Sequence, residues 1–132
     1  MILGIGNDVV YIPRIEKIYQ KYGNKFLKKI LTAKEIKILV LKSEKQICNH
    51  IAKRFAAKEA LAKALGTGFR NNISMTDIEI FNDELGKPYY VLNKRLTDFI
   101  HQIIVDKKFI THLSLSDEYP IAAAFTIIEK LS

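Results

Sequence analysis

Two acidic residues are the first candidates for chemistry. Asp8 follows Gly4 and Gly6 in the apolar stretch ILGIGNDVV, where an unpaired charge would be costly to bury. Glu59 lies within RFAAKEALAKALGTG (54–68), an alanine-rich stretch of strong helix formers that ends at Gly-Thr-Gly. Two carboxylates brought together could bind Mg²⁺, which prefers carboxylate oxygens and commonly bridges to a substrate phosphate. The alternative for Asp8 is a strand-end turn or a helix cap, and the sequence leaves both open.

A lysine and a glycine-rich turn follow Glu59 closely. Lys63 is four residues beyond Glu59, so the two side chains lie on one face of the predicted helix. A purely structural alternative is a core helix with a solvated charged stripe, in which this pair contributes about 0.3–0.5 kcal/mol. The turn favours a ligand site. Gly66 alone can end the helix, so Gly68 is surplus to capping, and two glycines around Thr67 leave backbone N–H groups open to an anion.

The surrounding pattern predicts the elements that must position these residues. Capping boxes at TAKE (32–35) and SEKQ (43–46) each predict a helix start, and the second opens the longest helix. The predicted elements are, in order, a strand over 2–10, a helix over 12–31 with a break at Gly23-Asn24, the long helix over 44–65, strands over 76–83 and 89–92, a helix from Asn93 to about 106, and strands over 109–117 and 121–129. Because helices and strands mix without regular alternation, we expect an α+β fold, with a long central helix against a largely antiparallel sheet.

The length and net charge of the chain limit the classes of function that it could have. A chain of 132 residues suits a single domain, 1–132. Its 21 Lys and Arg residues against 14 Asp and Glu give a net charge of +7, which favours a polyanionic partner: nucleic acid, an anionic membrane, a phosphorylated ligand or an acidic protein. No apolar run reaches the roughly 18 residues of a membrane span and the start lacks a signal peptide, so we expect a cytoplasmic location and no membrane partner. Cys48 is the single cysteine, and no cysteine/histidine cluster indicates zinc.

A basic nucleic-acid-binding module is a competing hypothesis, because it would explain the charge. It does not explain Asp8, Glu59 or the glycine turn, and the sequence contains no nucleic-acid recognition motif or aromatic stacking platform. Tyr89 and Tyr90 are adjacent, so they would point to opposite faces of a strand. We therefore expect no nucleic-acid partner. Binding that depended strongly on salt and needed no magnesium would favour the alternative.

Four segments resemble, in the expected order, the holo-[acyl-carrier-protein] synthases of the 4'-phosphopantetheinyl transferase family: GIGNDVVYIPRI, FAAKEALAKALGTG, LGKP and HLSLSDEYPIAAAF. The resemblance covers nearly the whole chain, and the second segment is its most specific part. It implies a compact α+β enzyme that moves the 4'-phosphopantetheine arm of coenzyme A onto a serine of apo-acyl carrier protein and releases adenosine 3',5'-bisphosphate. It also implies Mg²⁺, a homotrimer with active sites between subunits, and a place in fatty acid biosynthesis.

The resemblance implies roles for individual residues. Asp8 and Glu59 match the two metal-binding carboxylates. Lys63 matches a lysine placed to contact phosphate or to assist deprotonation of the serine, so all three are implied to be catalytic. Arg14 matches a helix position that meets the acidic carrier. The residues implied to lie against coenzyme A are Arg54, Lys58, Lys63, Gly66, Thr67, Gly68, Lys87 and Pro88.

Two positions depart from the family's pattern. Asp117 in SLSDE stands where histidine is frequent, and that histidine is usually linked to a coenzyme A phosphate across the subunit boundary. An aspartate would repel phosphate unless a cation intervenes. Either another base supplies the contact, or Asp117 has another role, such as holding a water or an arginine. Tyr11 stands where glutamate is usual. A non-catalytic partner-binding subunit is the remaining alternative. The identity of the general base is left open, and either a metal-bound water or Glu59 could serve.

Overall fold

Helices and strands follow one another irregularly along the chain, in a computed structural model that describes residues 1–70, 73–105 and 108–132. The elements are β1 (Ile2–Tyr11), α1 (Ile12–Tyr22), α2 (Asn24–Ile30), α3 (Ala33–Lys37), α4 (Glu44–Leu65), β2 (Ile78–Asn82), β3 (Pro88–Leu92), α5 (Lys94–Ile104), β4 (Phe109–Glu118) and β5 (Ile121–Lys130). No helix within these described ranges is long and apolar enough to cross a bilayer.

The strands pair in antiparallel fashion. β1, β5 and β4 form a three-stranded sheet in that order, and β2 pairs with β3 in a separate hairpin. In the larger sheet Asp8 on β1 lies opposite Ala124 of β5, and Asp117 on β4 lies opposite Ala122. The long helix α4 packs against this sheet, mainly on β1 and β5. The predicted α+β fold, a long helix against antiparallel strands, is confirmed.

Glycines let β1 approach α4 closely. A Cβ atom on Gly6 would lie 2.0 Å from the carbonyl oxygen of Ala60, and one on Gly4 would lie 1.9 Å from that of Ala64. Both distances are far below van der Waals contact, so glycine is required at these positions. The buried face of α4 is itself largely alanine. This close approach carries Asp8, two residues after Gly6, towards the helix.

Local sequence sets the ends of α4. Ser43 caps the first turn in a capping box with Gln46, as the sequence predicts. Gly66 ends the helix in the left-handed conformation, with φ at 77°, which a side chain would disfavour. The predicted break in the first helical segment is also confirmed, because Gly23 separates α1 from α2.

Two predicted boundaries differ from the structure by more than one residue. Strand β2 begins at Ile78, two residues later than predicted, because Met75–Asp77 forms a single 3₁₀ turn. In that turn the carboxylate of Asp77 accepts the backbone N–H of Ser74 at 2.9 Å, which draws the chain out of the extended conformation. Within the described residues α5 ends at Ile104, and its predicted end near residue 106 lies outside them.

A buried pair of hydroxyl groups fastens the β2–β3 hairpin to the rest of the fold. The Tyr90 hydroxyl on β3 donates to the carbonyl oxygen of Ala57 on α4 at 2.6 Å. The same phenol oxygen lies 2.6 Å from Oγ1 of Thr126 on β5. Burial raises the pKa of Tyr90 well above its ordinary value, so the phenol keeps its proton. Three elements are thereby joined at one point of the core.

The face of the three-stranded sheet turned away from α4 carries exposed apolar side chains. We call it the outer sheet face, and its exposed members include Ile5, Val9, Ile121 and Phe125. Side chains alternate along a strand, and the pairing of β1 with β5 places these residues on one side of the sheet. Contiguous exposed apolar surface of this kind marks an interaction site.

Candidate active site

Asp8, Glu59 and Lys63 come together where β1 lies against α4. Lys63 Nζ lies 3.0 Å from Oδ1 of Asp8 and donates at 3.0 Å to the carbonyl oxygen of Asn7. Glu59 lies one helical turn before Lys63, close enough to Asp8 for the two carboxylates to repel each other. Residues that are about fifty positions apart in sequence thus form one cluster, with Lys63 bridging the strand and the helix.

The electrostatics of Glu59 are unusual for a surface carboxylate. Burial raises the pKa of Glu59, and the negative charge of Asp8 raises it further. The Lys63 ammonium opposes both effects and lowers it. The net rise means that the ionised carboxylate is held at an energetic cost, which an additional cation would relieve. Such a carboxylate is expected at a site that binds a cation or transfers a proton.

The carboxylates of this cluster suit a Mg²⁺ site in which water and substrate supply the remaining ligands. Within the described residues, no group of three or more His, Cys, Asp or Glu side chains could hold a metal ion. Mg²⁺ needs fewer protein ligands than that, because it keeps several waters and is often bound by one or two carboxylates plus substrate phosphates. Asp8 and Glu59 supply such a pair of carboxylates. The cost of holding the Glu59 charge beside Asp8 is the observation that favours a cation here.

The glycine turn after α4 is hydrogen-bonded more fully than the sequence suggests. The N–H of Gly66 donates to the carbonyl of Lys63 at 3.0 Å, and the N–H of Gly68 donates to that of Ala62 at 3.2 Å. Both bonds satisfy carbonyl groups at the end of the helix. The expectation that Gly68 is surplus to capping is therefore wrong, and the amides of both glycines are already used. Thr67 donates its hydroxyl to the carbonyl of Gly68 at 2.9 Å.

Lys58 lies in the core. Its side chain is fully buried, and Nζ donates to Oε1 of Glu35 and to the carbonyl oxygen of Ile30, both at 2.6 Å. Glu35 also accepts the backbone N–H groups of Thr32 and Ile80. Burial lowers the pKa of the Lys58 ammonium, and Glu35 opposes that shift. The structure therefore corrects the expectation that Lys58 contacts coenzyme A, because an enclosed ammonium with two acceptors cannot reach a bound molecule.

Arg54 extends from α4 to the end of β2. It is 3% exposed, and Nη2 donates to Oδ1 of Asn82 at 2.7 Å. Its buried Nε has no hydrogen-bond partner in the part of the chain that the structure describes. Burial lowers the pKa of the guanidinium from a very high ordinary value, so Arg54 stays charged at neutral pH. Because this atom is enclosed, a bound molecule could reach it only if neighbouring side chains moved.

Lys87 and Pro88 lie at the start of β3 beside the larger sheet. They line a groove of about 430 Å³ that also contacts Ser114 and Phe125. A smaller pocket of about 190 Å³ is lined by Asp8 and by the same Ser114 and Phe125. Since the two cavities share these residues, they form adjacent parts of one surface along β4 and β5, which reaches β1 at Asp8. Neither Glu59 nor Lys63 lines the smaller pocket.

Asp117 pairs with a lysine of α4. The distance from Nζ of Lys53 to Oδ1 of Asp117 is 3.4 Å, and both side chains are about a third exposed, at 29% and 36%. Of the two sequence-based alternatives, the structure therefore favours another role for Asp117, holding a cation, although the cation is a lysine and not an arginine. Tyr11, the second departure from the family's pattern, ends β1 with an exposed side chain.

Arg14 is exposed on α1, at a surface rich in lysine. A groove of about 660 Å³ between α1 and α2 has apolar and basic sides. The lining residues are Ile18, Tyr22, Lys25, Phe26, Lys28 and Lys29. Apolar contacts flanked by positive charges suit a partner that carries both apolar and acidic side chains.

The family model of the 4'-phosphopantetheinyl transferase superfamily matches residues 4–124. The chain belongs to this superfamily. A holo-[acyl-carrier-protein] synthase of Wolbachia pipientis is 51% identical over 129 residues, which cover 97% of this chain and 98% of that relative. The match confirms the resemblance carried by the four sequence segments, and with it the predicted enzyme class, a phosphopantetheinyl transferase.

Solved structures of the superfamily share the fold. The crystal structure of a holo-[acyl-carrier-protein] synthase from Neisseria meningitidis has a TM-score of 0.87 and 39% identity, covering 98% of this chain and 100% of that chain. A Bacillus anthracis synthase in complex with CoA (3',5'-ADP) has a TM-score of 0.82 and 35% identity, covering 100% of this chain and 99% of that chain.

Sequence reasoning missed three residues that contact the predicted site residues Lys58, Arg54 and Asp117. Glu35 was predicted only as the cap of α3, and no pattern indicated its pairing with Lys58. Asn82 precedes the β2–β3 turn and gave no signal beyond a polar residue at a strand end. Lys53 is one of many surface lysines in the sequence. All three depend on contacts between distant segments, which spacing within one segment does not report.

Proposed function

We propose that this chain transfers the 4'-phosphopantetheine arm of coenzyme A to a serine hydroxyl of apo-acyl carrier protein and releases adenosine 3',5'-bisphosphate. The names of its relatives and the coenzyme A complex of the Bacillus anthracis synthase support these substrates. The observation that carries the proposal is the cluster of Asp8, Glu59 and Lys63, two carboxylates and an ammonium joined across β1 and α4. Neither a nucleic-acid-binding module nor an inactive subunit requires such a cluster.

The reaction forms one phosphorus–oxygen bond and breaks another. The serine oxygen of the carrier attacks the phosphorus that bears the pantetheine arm. The bond from that phosphorus to the bridging oxygen of the diphosphate breaks, and the oxygen leaves with adenosine 3',5'-bisphosphate. The nucleophile belongs to the carrier, so this chain contributes positioning and electrostatic stabilisation rather than a nucleophile.

Lys63 and Glu59 have distinct roles in this proposal. The Lys63 side chain is 52% exposed, so the ammonium that contacts Asp8 can also contact a phosphate oxygen of the substrate. There it stabilises the negative charge that develops on the bridging oxygen. The pKa of Glu59 is raised by burial and by the charge of Asp8, which suits a base that accepts the serine proton.

Mg²⁺ is part of the proposal, with Asp8 and Glu59 as its protein ligands. When bound, the ion supplies Lewis-acid polarisation of the diphosphate. The position of Asp8 is held by Lys63 and by the close packing of Gly6 on α4, so the two carboxylates remain adjacent.

Coenzyme A is proposed to follow the connected pockets from Asp8 to the turn that contains Lys87 and Pro88. Their shared lining of Ser114 and Phe125 supports a continuous binding surface. Arg54 lies behind this turn, and its hydrogen bond to Asn82 supports a role in holding the turn beside the nucleotide phosphates. The turn Gly66–Gly68 follows Lys63 directly and is proposed to contact the ligand through atoms other than its glycine amides.

The carrier is proposed to bind the surface of α1 and α2, with Arg14 among its contacts. The groove lined by apolar residues and lysines supports an acidic protein partner. The outer sheet face is proposed to pack in a homotrimer, which its exposed apolar side chains support. The cytoplasmic location, the link to fatty acid biosynthesis and the single domain stay predictions.

The decisive test is transfer itself. The protein is incubated with coenzyme A, Mg²⁺ and apo-acyl carrier protein, and the carrier is examined by mass spectrometry for the added arm. We expect full conversion by the wild type, and loss of conversion when EDTA is added. Asp8→Ala and Glu59→Ala should also lose it. Full activity in both variants would remove the metal roles, and no transfer by the wild type would remove the proposed function.

A further inference from the structure

Asn82 joins α4 to the turn between β2 and β3. It is the last residue of β2, and the turn that follows runs from Asp83 to Lys87. Its Oδ1 accepts from Nη2 of Arg54 at 2.7 Å, and its Nδ2 donates to the carbonyl oxygen of Gly86 at 2.8 Å. A guanidinium can only donate and a carbonyl can only accept, so the two partners fix the orientation of the amide.

The turn has its own internal hydrogen bonds. Oδ1 of Asp83 accepts the N–H groups of Leu85 and Lys87, and the N–H of Gly86 donates to the carbonyl of Asp83. These bonds fix the shape of the turn. They do not fix its position relative to α4, because every one of them begins and ends inside the turn.

Arg54 on α4 is well placed to fix the position of the turn. It is 3% exposed and lies on α4 five residues before Glu59. The Arg54–Asn82–Gly86 connection therefore ties the turn that leads to Lys87 and Pro88 to the helix that carries the carboxylate cluster, in addition to the hydrogen bond from Tyr90 on β3 to Ala57.

We propose that Asn82 is a positioning residue for the nucleotide end of the substrate. It acts through the turn, without touching the reacting atoms, by holding Lys87 and Pro88 in register with α4. This inference rests on the proposed function, because it assumes that the groove lined by Lys87 and Pro88 receives the adenosine 3',5'-bisphosphate part of coenzyme A. Loss of the Asn82 amide should weaken nucleotide binding and leave binding of the carrier unchanged.

The test uses Asn82→Ala and Asn82→Leu in the full chain. Leucine keeps the approximate volume of asparagine and removes both hydrogen bonds, so equal effects of the two variants identify the amide as the cause. Gln102→Ala, an exposed amide on α5 away from the proposed coenzyme A and carrier surfaces, is the control. Binding of adenosine 3',5'-bisphosphate is measured by calorimetry in the presence of Mg²⁺, and melting temperatures are recorded for all variants.

Both Asn82 variants should bind adenosine 3',5'-bisphosphate about five- to tenfold more weakly than wild type, the effect of one or two lost hydrogen bonds. The KM for coenzyme A should rise by the same factor, while the KM for carrier and kcat stay within about twofold. Wild-type nucleotide affinity in either variant would overturn the inference. An equal loss in carrier KM or kcat, with a lowered melting temperature, would overturn it too, because that result indicates a general structural role.

The two failures are distinguishable. If wild-type protein transfers no arm to the carrier, the proposed function fails and the role of Asn82 fails with it. If wild-type protein is active and binds the bisphosphate as tightly as the Asn82 variants do, only the role of Asn82 fails.

Discussion

Lys58 and Lys63 are five residues apart on α4 and have opposite surroundings. Lys58 is fully buried with Glu35, whereas Lys63 is 52% exposed beside Asp8. An ammonium enclosed in the core with a carboxylate holds the structure together, and one at the surface can exchange its partner for a phosphate. The same residue type is therefore structural at one position and, in our proposal, chemical at the other.

The raised pKa of Glu59 leads to a prediction about stability. Glu59→Gln removes a carboxylate that the folded protein holds ionised at a cost, so without divalent cations the variant should melt at a higher temperature than wild type at about pH 7. The folded state binds this proton more tightly than the unfolded chain. Wild-type stability is therefore lost as pH rises from the ordinary glutamate pKa through the raised one. The difference between the two proteins should close as pH is lowered towards the ordinary value.

The same substitution should affect activity in the opposite direction. Arm transfer should fall at least about a hundredfold, because several kcal/mol of charge stabilisation are lost with the ligand. Melting curves in EDTA over a range of pH, together with the mass-spectrometric assay, measure both effects. Glu84→Gln, on the exposed β2–β3 turn, is the control and should change neither quantity. A Glu59→Gln variant that melts below wild type at neutral pH in EDTA contradicts the prediction.

At the scale of the elements, the sequence predicted the helix ends and breaks that depend only on adjacent residues. The capping boxes at Thr32 and Ser43, the end of α4 at Gly66 and the break at Gly23 all follow from a few adjacent residues, and all are confirmed. The sequence also predicted the cluster of Asp8 with Glu59, from their residue types as one of two alternatives and then from the resemblance, since nothing in either segment alone fixes their separation.

Contacts between distant elements were not predictable in this way. Lys58 has the same local sequence environment as a solvated helix lysine, and its burial depends on where α3 and β2 pack. Gly68 illustrates the reverse error. The sequence predicts that its N–H is open to an anion, although that N–H completes the hydrogen bonding of the helix end.

Packing of β1 on α4 should be intolerant of a single methyl group. Gly6→Ala places a Cβ atom 2.0 Å from the carbonyl oxygen of Ala60, so strand and helix must separate. We expect a loss of about 3 kcal/mol or more in the free energy of unfolding and loss of transfer, because Asp8 moves away from Glu59. Gly23→Ala is the control: its backbone is unfavourable for a side chain but the Cβ meets nothing within 4 Å.

Denaturant unfolding and the transfer assay distinguish these two glycine variants. Gly23→Ala should lose only about 1 kcal/mol, as expected for a residue forced into an unfavourable backbone region, and should keep its activity. Equal activity in Gly6→Ala and wild type would show that the contact between β1 and α4 does not position the cluster.

The buried pair of Lys58 and Glu35 connects α3, α4 and β2 and should be costly to break. Lys58→Met leaves the carboxylate of Glu35 buried without its cation, and we expect a loss of about 3–5 kcal/mol in the free energy of unfolding. Lys53→Met is the matched control on the same helix. It breaks the partly exposed pair with Asp117 and should cost at most about 1 kcal/mol. Urea titrations of both variants measure the difference, and similar losses would contradict the assignment of Lys58 to the core.

At the scale of the whole molecule, the net charge is +7, and α1 and α2 carry many of the basic side chains. Arg14→Glu should raise the KM for carrier by about five- to tenfold and leave the KM for coenzyme A nearly unchanged. We expect this because the reversed charge removes an attraction between the surface at Arg14 and an acidic carrier. Lys94→Glu, an equally exposed reversal on α5, is the control for net charge. Steady-state kinetics with each substrate varied in turn measure both constants, and equal effects on them would contradict a carrier contact at Arg14.

The outer sheet face predicts the assembly state. A homotrimer buries Ile5 and Val9, so Ile5→Glu should dissociate it. Light scattering on a size-exclusion column should give three times the chain mass of 15.1 kDa for wild type and one times that mass for the variant. Leu41→Glu replaces an even more exposed leucine outside the sheet and should leave the mass unchanged. A monomeric wild type would remove the homotrimer from the proposal.

The hydroxyl of Tyr90 has a single hydrogen, and the carbonyl of Ala57 receives it. In the 2.6 Å contact with Thr126 the phenol must then be the acceptor, so the chain of hydrogen bonds runs one way, from β5 through β3 to α4. Shape alone is therefore not enough at position 126. Serine can replace threonine because it also has a hydrogen to give, whereas valine, with nearly the same outline, would leave the phenol oxygen short of a donor.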